Sequence, residues 1–102
     1  MLTYEKVFEI FKDYLAADHE VEVLHSRRGY VRVQWDKNTR YCEDGCLCRT
    51  PEELFEVLLD DYRGYEEIRL TKGRRELTAE DSRKLDALCQ PFLDKRRMEE
   101  AE

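Results

Sequence analysis

The stretch Leu47-Cys48-Arg49-Thr50-Pro51-Glu52-Glu53-Leu54-Phe55 decides the fold, because a short apolar strand runs here straight into a helix start. Thr50 suits the N-cap, since its hydroxyl can accept from the free amides of the first turn. Pro51 then falls at N1, where a missing N–H costs nothing. Glu53, three residues after the cap, can bond back to the Thr50 amide, and Glu52 and Glu53 both favour the positive helix end. The boundary orders a strand before a helix and names no activity.

Beyond it, Leu54, Phe55, Leu58, Leu59 and Tyr62 form one helical face, which Tyr65 and Ile68 continue past Gly64. A mid-helix glycine costs about 1 kcal/mol relative to alanine, so the stripe predicts one helix to about Thr71. The alternative is a stop at Gly64 and a strand over 66–71. Lys72-Gly73-Arg74-Arg75 breaks the pattern, and Thr78-Ala79-Glu80-Asp81 reads as a second cap. Leu85, Leu88, Cys89 and Phe92 then stripe a further helix, with a kink or break expected near Pro91 and a frayed tail over 95–102.

Upstream, Thr3 caps a helix to about Ala17, striped by Tyr4, Val7, Phe8, Phe11, Tyr14 and Leu15 and widened by Ile10. His19 to His25 and Tyr30 to Asp36 alternate instead, as two strands of a hairpin do. Matching valine face to valine face sets Val23 opposite Val33 and Val21 opposite Trp35. That requires a three-residue loop, Arg27-Arg28-Gly29, with glycine at the position needing positive φ. A two-residue loop would set Val23 opposite Arg32, which a one-sided sheet should reject. Asp36-Lys37-Asn38 and Asp44-Gly45 read as turns, 39–42 as a short strand or loop, and Cys46 to Arg49 as the returning strand. The expected architecture is a single α+β domain over 1–102. It has an N-terminal helix, an antiparallel meander of three or four strands, and two further helices packed on the valine–tryptophan face.

Composition excludes several classes. The apolar and charged fractions are both 41%, and 11% of residues are aromatic, too many for a disordered chain. A net charge of −6 disfavours phosphate backbones and anionic lipid, so neither nucleic acid nor membrane is an expected partner. No apolar run approaches the roughly 18 residues of a membrane span. The start Met1-Leu2-Thr3-Tyr4-Glu5-Lys6 has no basic-then-apolar leader, so a cytoplasmic setting with free thiols is expected.

Chemistry-bearing residues are few. Cys42, Cys46 and Cys48, with the distant Cys89, are the one set with metal potential, but the spacing lacks the paired C-x2-C of strong zinc sites. Buried or half-exposed thiols are the simpler reading, and no metal or cofactor is expected. His25, near a sheet end, reads as structural, and a Cys–His nucleophile pair would need an orienting third group that no motif supplies. Walker, dinucleotide, H-E-x-x-H and G-x-S-x-G patterns are all missing, so the chain does not read as an enzyme. Its element order is also that of the double-stranded-RNA-binding fold, which uses basic residues where this chain has Glu52, Glu53 and Glu56.

Trp35-Asp36, Leu47 to Leu54 and Arg75-Glu76-Leu77-Thr78 together resemble short uncharacterised proteins carried on mobile elements of Gram-positive bacteria. The resemblance implies a bacterial cytoplasmic setting and an accessory or regulatory role, and it carries over no site residue. The expected function is a non-catalytic protein-interaction module, with an unknown protein partner or self-association. Its candidate interaction face is the outer sheet surface, Leu24, Tyr30, Arg32, Gln34, Leu47 and Arg49. Two alternatives stand beside it: an acidic antagonist mimicking nucleic acid, and a thiol or zinc protein using Cys42, Cys46 and Cys48.

Overall fold

In a computed structural model, which describes residues 1–38 and 40–101, the Thr50 cap holds as read. Thr50 Oγ1 accepts from the Glu53 amide at 3.1 Å and starts α3, Pro51–Thr71. The Glu53 carboxylate reaches one residue further back than expected, accepting from the Arg49 amide at 2.8 Å. The helix runs through Gly64 to Thr71 and ends on Lys72 at φ +57, so 66–71 is helix. Before it lie α1 (Tyr4–Ile10), α2 (Lys12–Ala17), β1 (Val21–Ser26), β2 (Gly29–Trp35) and β3 (Cys42–Cys48); after it comes α4 (Ala79–Glu100). The fold is α+β, and among the described residues three strands pair in the antiparallel order β1-β2-β3. Among the described residues no helix is long and apolar enough to cross a membrane.

Five local expectations change. The N-terminal helix is interrupted at Phe11, although Thr3 caps it as expected. Asp44-Gly45 is no turn but the middle of β3, an edge strand where glycine meets nothing within 4 Å of a built Cβ. The 39–42 segment divides: Thr39 lies outside the described residues and Cys42 opens β3. Pro91 neither breaks nor ends α4, because Leu85, Cys89 and Phe92 around it are held against the rest of the fold. The 95–100 segment continues the helix instead of fraying, tied down by Met1 N donating to the Glu99 carbonyl (2.7 Å) and by the Lys6–Glu99 ion pair (2.8 Å).

The hairpin register is the main correction. Val23 stands opposite Arg32 and Val21 opposite Gln34, closed by the two-residue loop Arg27-Arg28. Ser26 Oγ stitches that loop, donating to the Gly29 carbonyl and accepting from the Arg28 amide. Gly29 does take positive φ (+125°), one place after the loop. With this register Val21 and Val23 face the helices together with Tyr30, Arg32, Cys46 and Cys48, while Val31, Val33 and Trp35 turn away. The valine–tryptophan face of β2 therefore lies outside the main core cluster, although Val33 itself is buried.

The core is built around Phe11, Phe55, Leu54, Leu58, Leu85, Val7 and Cys48, all under 2% exposed. Phe11 stacks on Phe92 (5.0 Å) and meets Phe55 edge-on (5.2 Å), which joins the N-terminal helices to both long ones. At 40 × 38 × 18 Å the molecule is two layers thick, room for one helical layer on a sheet and none beyond. Gly64 faces open space midway along α3. Gly64→Ala should thus stabilise by about 1 kcal/mol, read as a higher urea midpoint at unchanged slope.

Candidate functional site

The open side of the sheet is the candidate site, and alternation assigns its side chains. Leu24 pairs with Val31 and Val31 with Leu47; Glu22 pairs with Val33 and Val33 with Gly45. All six therefore share one face. Trp35 joins them across a bulge between Gln34 and Trp35, its Nε1–H donating to Glu22 Oε1 at 2.9 Å. Leu24 is 41% exposed although apolar, whereas Val33, between Val31 and Trp35 on the same strand face, is 6% exposed. Of the six residues expected on this face, the structure keeps Leu24 and Leu47, and exposed Arg49 follows directly on β3.

Tyr30, Arg32 and Gln34 lie on the opposite face, by the same register. Tyr30 packs under the helices against Tyr4 (4.6 Å) and Phe8 (5.1 Å) and stacks on His25 (4.7 Å). Arg32 is 8% exposed. Its Nε lies 3.1 Å from Asp61 Oδ2 on α3, an ion pair outside hydrogen-bonding direction, and its Nη1 lies 3.3 Å from Asp44 Oδ2 on β3. Burial pushes the Asp61 carboxyl up to about 6; Arg32 pulls it down, and the Asp60, Asp18 and Asp44 carboxylates add to the rise. Beside the pair, the Tyr14 hydroxyl donates to Asp18 Oδ2 at 2.8 Å, and burial first and Asp18 second raise its pKa. A cleft of about 600 Å³ reaches Asp61 past Asp18, His19, Gly64 and Tyr65. Its acids are engaged: Asp61 by Arg32, Asp18 by Tyr14, and Glu20 by Lys37 at 4.0 Å.

The cysteines are spread across environments. Cys42 is exposed, Cys46 half-buried, and Cys48 and Cys89 buried. Burial raises the Cys48 thiol to about 11, and it raises Cys89 against the pull of Arg63. Both are thus protonated, weak nucleophiles at neutral pH. Among the described residues no group of three His, Cys, Asp or Glu could hold a metal ion. His25 is spent on its stack with Tyr30, and exposed His19 lies at the cleft, well along the chain from any cysteine.

Sequence reasoning missed that Val31, Val33 and Trp35 turn to the open side of the sheet. A usable signal was present: Ser26 and Gly29 flanking two arginines already fit a two-residue loop, which alone turns that face outward. No family model matches the chain, and comparisons with curated proteins and with solved structures found no match.

Proposed function

We propose that the protein is a non-catalytic interaction module of accessory or regulatory type, docking a protein on the uncovered face of its sheet. The observation that supports this reading is the apolar row Leu24, Val31, Val33, Leu47 and Trp35 on a face that the helices leave bare. The named helix–sheet contacts run to the other side, through Tyr4–Tyr30, Phe8–Tyr30 and Arg32–Asp61. Leu24 is exposed, Val31, Leu47 and Trp35 are half-buried and Val33 is buried among them; contiguous apolar surface marks docking sites more often than scattered single leucines do. The acidic-antagonist reading has less support, because carboxylates along the helices are interlaced with bases, as in Arg63–Asp86, Arg69–Glu66 and Arg96–Glu100.

The test pairs capture with stability. Leu24→Glu with Leu47→Glu should remove the proteins that the wild-type chain retains from a native lysate, while the melting temperature falls by only a few degrees. An unchanged captured set would place docking elsewhere and sink this reading.

A further inference from the structure

We propose that the occupant of this face is a second copy of the chain, packed sheet on sheet about a two-fold axis that lies in the interface and crosses the strands at right angles. The inference rests on the docking reading above and adds the partner.

Such an axis reverses strand direction, so each outward residue faces its mirror position along the same strand of the other copy. The level of Val23, Arg32 and Cys46 lies midway along the outward rows, and it presents only backbone on the outer side. An axis over that level pairs the outward row of β3, Glu43, Gly45, Leu47 and Arg49, with itself reversed. Arg49 then meets Glu43, and Leu47 meets Gly45, where no heavy atom lies within 4 Å of a built Cβ. On β2 the same operation sets Val31 over Val33 and Trp35 over Gly29. Trp35 and Leu47 thus meet glycines, Val31 meets Val33 and Arg49 meets Glu43, each contact formed twice, while on β1 the Glu22 stem lies along Leu24 with its carboxylate held by Trp35.

Charge along the strands points the same way. Arg27, Arg28 and Arg49 cluster at the hairpin end, and Glu43 lies at the other end of the outward face, all four exposed. The crossed arrangement brings the arginine end over the Glu43 end, whereas an axis along the strands would set arginine over arginine. The footprint, three strands about 20 Å long and about 5 Å apart, is small for a stable interface. The dimer should accordingly form at micromolar concentrations.

Sedimentation velocity on the purified chain, from about 5 to about 500 µM, brackets an affinity of that order. A concentration-dependent shift from monomer to dimer is expected. Glu43→Arg and Arg49→Glu should each weaken it about fivefold or more, because each sets two like-charge contacts across the axis. The double variant should restore it, which no foreign-partner or non-specific contact would do. Gly45→Val should abolish the dimer by filling the hollow while leaving the melting temperature near wild type. A monomer at every concentration, or a dimer indifferent to these changes, would overturn the inference. If the chain is monomeric yet lysate capture still depends on Leu24 and Leu47, only the second-copy assignment fails. If capture is independent of them as well, the docking reading fails too.

Discussion

Replacing Arg32 with methionine should cost the fold about 3–5 kcal/mol, the loss typical of a buried ion pair with one partner removed. Methionine fills most of the space and keeps the apolar stem, so the missing charge carries the effect. Asp61 is then left with an 11% exposed side chain, no cation, and the Asp18, Asp44 and Asp60 carboxylates around it. The pH dependence has a definite sign. With a folded-state pKa of about 6 against an ordinary 3.8, folded Asp61 holds its proton more tightly than the unfolded chain does. Its contribution to stability is therefore complete below 3.8 and declines as pH rises through about 6. Removing Arg32 raises that pKa further, so Arg32→Met should lose more stability at alkaline than at mildly acidic pH. Arg32→Leu combined with Asp61→Leu should cost less than either single change, since neither charge is then stranded. Urea unfolding of the wild type and these four variants on both sides of pH 6 reads all of this. Equal losses at the two pH values, or a double variant as weak as the sum of the singles, would show that the pair is not what holds Arg32 inside.

That same pair explains where sequence reading succeeded and where it stopped. The Thr50 and Thr78 caps are local: a hydroxyl, an amide three residues on, and in the second case an Asp81 side chain that also takes Arg75. The long α3 was legible because its stripe persists through Gly64, and packing outweighs one unfavourable propensity. Register was not legible, because it turns on Arg32 being inside. Alternation treats an arginine as outward unless a partner is in view, and the partner, Asp61, lies on a later helix. Asp44-Gly45 misled for a related reason. Asp-Gly is a strong turn signal, yet here Asp44 faces inward to Arg32 and Gly45 faces open space. Half of the candidate face was accordingly assigned to the wrong side of the sheet. The open face itself was expected, but its valines and tryptophan had been counted into the core.

The second large effect is expected at Phe55, the one ring that joins the first residue row of α3 to both ends of the chain. It is fully buried, meets Phe11 edge-on at 5.2 Å, and carries the Arg96 guanidinium 4.9 Å over its ring. Phe55→Ala should cost about 3–5 kcal/mol, the transfer loss plus the cavity that a packed core cannot close. Leu88→Ala, at a site 41% exposed, should stay within about 1 kcal/mol and serves as the control. The loss should also travel. Arg96, half-buried on that ring, pairs with Glu100 at 2.6 Å and with Glu56 at 3.8 Å, and the next turn of α4 holds the N-terminus through Glu99. Hydrogen exchange in Phe55→Ala should therefore accelerate together in α1 and in the last two turns of α4, not in α3 alone. Phe55→Leu, which keeps most of the volume but gives Arg96 no π face, separates the two contributions. It should recover most of the stability while leaving the end of α4 faster-exchanging than in the wild type. Exchange confined to α3, or a full return of protection with leucine, would mean that Phe55 acts by volume alone and that the Arg96 stack does not hold the end of α4.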